Sequence, residues 1–303
     1  MTYSQSCNGV ERKLSNPKQY RIPKRIVHIG KDFSFSLRNR AAMTGIRLLN
    51  PDYDHLFFDN LQQREFVKRE FPEHLNVFDS FSFVIQRCDF FRYLAIYRCG
   101  GFYFDQDVLL ASDLSGLLEH GCVFPFEAIT VSSFLREGLG MDWQIGNYAF
   151  GAAAGHVFLE AIIENCVRGQ RDPNWVKPMM RGSPPLLDEE FFVINSTGPG
   201  LVSRTFAENK ELAKTVTVLF PEDVCDIANG WNRFGDWGVH LADSSWRTKR
   251  NFVRQRFSGY CWRWIQYRNV QRARRLGKYR AHPSAPPSAA SSNSTVLYRK
   301  AAQ

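Results

Sequence analysis

The sequence predicts an α/β fold: a mostly parallel sheet with helices on both faces, extended by a basic C-terminal helix. Two observations carry this. From Arg21 to Phe104, short β-branched or aromatic runs alternate with longer stretches of helical periodicity, a β-α-β-α order that implies parallel strands joined by crossover helices. The second is charge. The 303 residues carry a formal net charge of +9, yet all 30 acidic residues lie before position 247. Residues 1–246 hold 25 Lys and Arg, a net of −5, whereas 247–303 carry 14 basic residues and no acid. The basic balance therefore describes a tail and not the fold, and no nucleic acid is expected as partner of the whole protein.

In chain order, residues 1–20 are polar and read as a flexible N-terminus. The domain spans 21–246. Arg25–Ile29 is a short strand ending at Gly30, with His28 as a packed strand residue. Phe35–Leu49 reads as a helix, Asn50-Pro51 as a turn and His55–Phe58 as a strand, with Asp52 and Asp54 as solvated acids. Leu61–Phe71 is a second helix. A third starts near Phe81 and runs without Pro or Gly from Phe83 to Arg98, and Gly100-Gly101 supplies its left-handed stop. Phe102-Tyr103-Phe104 then has strand preference and closes on Asp105-Gln106-Asp107.

The remainder alternates similarly. A helix is expected at Asp113–His120, a buried strand at Val123–Glu127, and a loop over the site at Ser132–Trp143. A strand starts at Asn147, and His156 opens a helix over Val157–Val167. Residues 169–188, rich in Pro, Gly, Arg and Met, are irregular. Thr197-Gly198-Pro199-Gly200 feeds a helix over Leu201–Ala213, whose N-terminus offers N–H groups. Val216–Phe220 is a strand, followed by Gly238-Val239-His240 and Asp243-Ser244-Ser245-Trp246.

The chemistry concentrates at Asp105 and Asp107. Carboxylates at i and i+2 point the same way if a strand continues, and a strand's C-terminal end is where α/β folds bind ligands. Paired acids there repel one another unless a cation lies between them, and oxygen ligands suit Mg²⁺ or Mn²⁺. One turn apart on the preceding helix stand Asp89 and Arg92, which alone would read as an ion pair on a solvated face.

CDFFRYLAIYRCGGFYFDQDV resembles the signature of the DXD sugar-transferases, glycosyltransferase family 32, position by position: Asp-x-x-Arg-Tyr, Gly-Gly, an aromatic strand, Asp-x-Asp. The resemblance implies a GT-A (Rossmann-like) fold and a retaining, metal-dependent transferase. It would move a hexose from a GDP- or UDP-sugar to a glycan, lipid-linked or other acceptor, as in polysaccharide biosynthesis. It further implies that Asp107 binds the metal, with His240 near, and that Asp105 shares the metal's field and contacts the ribose or sugar. Asp89, Arg92 and Asn147 would lie at the donor sugar, Ile29 at the nucleotide, and Ser244 and Trp246 at the diphosphate. Relatives carry an aromatic residue after that Ile, where this chain has Gly30.

Two rival readings are weaker. A phosphohydrolase would also use Asp-x-Asp, but that chemistry wants Thr or Val where Leu109 stands, together with a Lys and a second acidic pair. A decayed enzyme with a nucleic-acid-binding tail conflicts with intact Asp89, Asp105 and Asp107. Toxin-like glycosylation of a protein acceptor stays open.

Seven Cys show no metal-ligand spacing and read as free thiols of a reducing compartment. No apolar run approaches ~20 residues and no signal-peptide core is present. The expected location is therefore cytoplasmic and peripheral on the inner membrane face. On that reading the sequons at Asn195 and Asn293 are chance matches. The extension 247–280 interleaves twelve Lys and Arg with Phe257, Tyr260, Trp264 and Tyr267, spaced as one stripe of a helix. Residues 250–280 are expected to lie on an anionic membrane, the alternative being that the stripe packs on the domain. Residues 281–303 read as a disordered tail.

Overall fold

The structure, a computed structural model, describes residues 22–183, 187–242, 252–275 and 296–297. Its strands are β1 (Arg25–Ile29), β2 (Asp54–Phe58), β3 (Gly101–Phe104), β4 (Val108–Leu110), β5 (Cys122–Ile129), β6 (Trp143–Ile145), β7 (Ala149–Ala152), β8 (Thr217–Leu219), β9 (Arg233–Phe234), β10 (Gly238–His240) and β11 (Val296–Leu297). Its helices are α1 (Leu37–Leu49), α2 (Asn60–Glu70), α3 (Leu75–Ser80), α4 (Val84–Cys99), α5 (Val157–Arg171), α6 (Pro173–Val176), α7 (Asp188–Ser196), α8 (Pro199–Glu208), α9 (Lys210–Ala213), α10 (Ile227–Gly230) and α11 (Phe252–Arg275).

The main sheet has the order β11-β8-β5-β7-β3-β1-β2, with β6 beside β5. Along that path only β7 runs against the others, pairing antiparallel with both β3 and β5. The expected mostly parallel α/β sheet is what forms. Both faces are covered, as the near-continuous apolar strands require. Val27 and Tyr103 face one core with α4 and α5, while Ile26, Phe102 and Phe104 face a second core with Ile46 of α1.

The turn from α4 into β3 depends on Gly100 and Gly101, at φ 63° and 106°. A Cβ on Gly101 would come within 2.6 Å of the Arg25 carbonyl oxygen, so two left-handed residues without side chains let β3 pair with β1. α1 and α2 are capped by Ser36 and by the reciprocal Asp59–Gln62 box, each worth about 1 kcal/mol.

Several expectations change. At Asp113–His120 only a 3₁₀ turn forms, Ser115–Leu117. The loop expected from Ser132 holds a π-type turn, Phe134–Gly138, with Leu135 buried, and leads into β6. The helix expected at Leu201–Ala213 starts at Pro199, whose fixed φ suits a first turn, and breaks at Asn209 into α8 and α9. α3 was not foreseen, nor was the small sheet β4-β10-β9.

α11 lies on the domain, though not through its aromatic stripe. Val270 and Ala273 enter the core, and Asn269 donates to the Thr130 carbonyl at 3.2 Å. Tyr260, Trp264 and Tyr267 are 71, 53 and 59% exposed, and the Arg268 guanidinium covers the Trp264 ring at 4.7 Å. The side chain of Phe257 lies outside the described residues, as do residues 243–251 and nearly all of 281–303. No described helix is long and apolar enough to cross a membrane.

Candidate active site

α4 carries Asp89 and Arg92 into the protein, each only 4% exposed, so the solvated ion-pair reading fails. Arg92 Nη2 lies 3.1 Å from Asp89 Oδ1, and Nη1 lies 3.3 Å from Asp105 Oδ1. Nη1 also donates to the Asn147 carbonyl at 2.8 Å, and the guanidinium stands 4.6 Å over the Tyr103 ring. Asp89 is fully engaged. Oδ1 accepts from Asn147 Nδ2 at 3.1 Å and Oδ2 from the Thr197 hydroxyl at 2.9 Å. Tyr93 closes the ring, accepting from Asn147 Nδ2 and donating to the Thr197 carbonyl, both at 2.8 Å. Burial pushes the Asp89 carboxyl up to about 6, against the pull of Arg92. Burial pulls the Arg92 guanidinium down, but Asp105, Tyr103 and Asp89 together hold it well above its ordinary value. Asn147 and the Thr197 loop thus meet at one acid, a convergence of three segments.

Above this floor, β3 stops at Phe104, so the acids do not converge through a continuing strand. They sit in a turn closed by Val108 N–H to the Asp105 carbonyl at 3.2 Å. Tyr103, alternating away from Phe102 and Phe104, donates its hydroxyl to Asp105 Oδ1. Gln106 points the other way and donates to the Ile29 carbonyl at 2.8 Å, while Asn39 donates to Gln106 at 3.1 Å. Ile29 therefore meets the site only through its backbone. Gly30 fits this arrangement, because a Cβ there would lie 2.3 Å from Gln106 Nε2. An exposed aromatic ring nonetheless stands close by in sequence: Phe33 is 47% exposed and tilted against Phe57 at 4.9 Å.

A third candidate ligand comes from the far end of the domain. β10 pairs antiparallel with β4, setting His240 opposite Val108. His240 Nε2 lies 3.3 Å from Asp107 Oδ1, and its ring stacks on Tyr148 at 4.4 Å. Burial lowers the His240 pKa. The Asp107 hydrogen bond and the charges of Asp105, Asp107 and Glu127 outweigh it, so the net shift is upward. Asp105, Asp107 and His240 bring one ligand atom each within 4.8 Å of one another. Two carboxylates and an imidazole fit a divalent cation, which would relieve the repulsion between the acids. Ser244 and Trp246 lie outside the described residues.

The remaining candidates resolve as framework. His28 is buried, its Nδ1 2.9 Å from the Phe104 carbonyl, and burial pushes it down to about 4. His156 caps α5. Asn195 is 2% exposed, which bars its sequon from modification. The described cysteines are free. Sequence reasoning missed Tyr93, Tyr103, Tyr148 and Gln106. Two had a readable signal: Tyr93 as the last residue of the Asp-x-x-Arg-Tyr run, and Tyr103 through the period-2 alternation that turns it from its neighbours.

Residues 38–124 match the family described as the glycosyltransferase sugar-binding region containing a DXD motif. The chain is 31% identical over 120 residues to inositol phosphoceramide mannosyltransferase 3 of Schizosaccharomyces pombe, covering 40% of this chain and 30% of that protein. It is 27% identical over 180 residues to mannosyl phosphorylinositol ceramide synthase CSH1 of Saccharomyces cerevisiae, covering 58% of this chain and 41% of that one. The matched part thus spans less than half the length of either relative. Among solved structures, PaToxG glycosyltransferase aligns with 65% of this chain and 74% of its own at 14% identity and a TM-score of 0.40. The matched segment includes Asp105 and Asp107, in line with the resemblance read from the sequence.

Proposed function

We propose that this protein is a metal-dependent, retaining glycosyltransferase that moves a hexose from a GDP- or UDP-sugar to a lipid-linked or glycan acceptor. The observation that carries the proposal is the approach of Asp105, Asp107 and His240 within 4.8 Å of one another, directly above the buried Asp89–Arg92 pair. The names of the relatives favour mannose as the sugar and an inositol phosphoceramide as the acceptor.

In this reading Asp107 and His240 hold a divalent ion, and Arg92 fixes the carboxylate of Asp105 beside them. The ion, Mn²⁺ or Mg²⁺, supplies Lewis-acid stabilisation of the departing diphosphate charge. Asp89, Arg92 and Asn147 form the wall on which the donor hydroxyls rest. Being hydrogen-bonded already, they need no reorganisation when the donor arrives. Phe33 offers a ring face to the base, the role for which Gly30 has no side chain. Ser244 and Trp246 keep the diphosphate-closing roles implied by the resemblance.

A donor screen tests this. GDP-mannose and UDP-glucose are supplied with Mn²⁺, alone and with inositol phosphoceramide in mixed micelles. Release of GDP or UDP is followed, and product configuration is read by NMR. Mn²⁺-dependent release with an α-linked product is expected. Full turnover in EDTA would sink the metal assignment, and inversion would sink retention.

The outward face of α11 supports a second element, attachment to an anionic membrane. Tyr260, Trp264 and Tyr267 are exposed there beside exposed Arg263, Arg268 and Arg272, and each cation near such a surface contributes about 1 kcal/mol. The unmodified chain should float with phosphatidylserine vesicles, less so at high salt. A variant with Tyr260, Trp264 and Tyr267 all changed to Ser should stay behind. Equal flotation of the two would exclude this face.

A further inference from the structure

A further acid, Glu127, lies on β5. β5 and β6 pair as Phe126 with Ile145 and Ala128 with Gln144, so the register slips at Glu127. Two residues of one strand facing one of the other make a β-bulge, which re-aims a side chain and recurs beside active sites. The neighbouring strand makes room for the result. Gly146, whose N–H is bonded to the Pro125 carbonyl at 2.9 Å, has no side chain. A Cβ there would come within 2.5 Å of Glu127 Oε2 and 2.7 Å of Tyr148 Cε1.

The Gly146 position thus borders both the Glu127 carboxylate and the edge of the Tyr148 ring, and His240 stacks on that same ring. Asn147, between Gly146 and Tyr148, reaches Asp89, and the Tyr148 carbonyl accepts from the Asp105 N–H at 2.8 Å. Gly146-Asn147-Tyr148 therefore touches the floor, the acidic turn and Glu127 in three consecutive residues. Glu127 Oε2 is buried while the residue as a whole is only partly buried.

We propose that Glu127 is a catalytic residue that accepts the hydrogen bond of the incoming hydroxyl. The inference rests on the transferase reading above. The arrangement divides the labour among the acids: Asp105 and Asp107 are drawn together with His240, Asp89 is filled by Arg92, Asn147 and Thr197, and Glu127 approaches from β5. On the face from which the diphosphate departs, as retention requires, the acceptor oxygen bonds to the anomeric carbon while the bond from that carbon to the diphosphate oxygen breaks, its electron pair leaving with the nucleotide. The hydroxyl proton passes to the carboxylate of Glu127 and then to bulk water. In donor hydrolysis, water takes the acceptor's place, so the role is measurable with no acceptor identified.

The test uses the full chain with Mn²⁺ and the donor found active in the screen. Glu127→Gln keeps shape and hydrogen bonding but cannot take the proton. Its hydrolytic kcat should fall about a hundredfold, with donor KM and the Mn²⁺-dependent Kd for the nucleotide within about twofold of the unmodified values. Gly146→Ala, which sets a methyl where the carboxylate rests, should lower kcat in the same direction. Its melting temperature serves as the control for folding. An unchanged kcat in Glu127→Gln overturns the proposal. So does a loss of nucleotide or Mn²⁺ binding, which would make Glu127 part of the metal ensemble instead. Failure of the unmodified chain to turn over any donor counts against the transferase reading itself, and the inference falls with it.

Discussion

The floor of the site and its rim are built from the same residue types to opposite effect. On the floor, Asp89 and Arg92 are buried and every oxygen of Asp89 is occupied. On the rim, the side chains of Asp105, Asp107 and His240 remain 27, 13 and 17% exposed, and the two acids repel each other. Buried hydrogen bonds hold the floor's geometry, whereas the rim gathers like charges in the arrangement a cation relieves. The two are joined at one residue, Asp105, whose Oδ1 faces Arg92 and which also groups with Asp107 and His240.

The sharpest way to break the contrast is Arg92→Met. It leaves Asp89 buried and unpaired, which should cost about 3–5 kcal/mol and lower the melting temperature by roughly 10 °C. Arg92→Lys should keep more of the fold yet lose turnover, since one ammonium cannot serve Asp89, Asp105 and Asn147 together. Asp107→Asn should do the reverse, keeping the fold but losing the response to metal. Mn²⁺ at a hundred times its Kd should stabilise the unmodified chain by about 2.7 kcal/mol, and the variant by far less. Thermal melts with and without Mn²⁺ separate these outcomes.

Two smaller effects sharpen the same comparison. Thr197→Val removes one bond to Asp89 without changing shape and should cost about 2 kcal/mol in chemical denaturation, with no effect on metal binding. On the rim, the folded pKa of His240 is raised by Asp107 and Asp105. In metal-free protein its stabilising contribution is therefore complete below its unfolded value of about 6.5. It is lost as pH rises through the folded value. Metal binding needs the neutral ring, so the Mn²⁺ shift in melting temperature should grow over that window. His240→Gln should flatten both trends, and a slope unchanged by this substitution would remove His240 from the cluster.

What the sequence made legible was local. Asp89, Arg92, the Gly100-Gly101 stop and Asp105–Asp107 lie within 19 consecutive residues, where helical spacing and strand alternation fix relative placement. The burial of Asp89 and Arg92 was not legible, because α4 is apolar nearly all round and its polar residues depend on Asn147, Tyr93 and Thr197 to be satisfied inside. His240 could be placed near the metal only through the family resemblance, since no spacing rule connects β10 to β4. Glu127 was hidden for a further reason. A one-residue slip of register is set by pairing with β6, and Glu127 in isolation reads as an ordinary strand end.

The pairing of β10 with β4 also has a consequence in time. Asp107 and His240 are separated by 133 positions, so a ribosome adding 5–20 residues each second needs about 10 s to pass from one to the other. Throughout that interval the nascent chain holds its acidic pair without the imidazole that completes the cluster. Assembly of the candidate cation cluster thus waits for the strand that closes the small sheet.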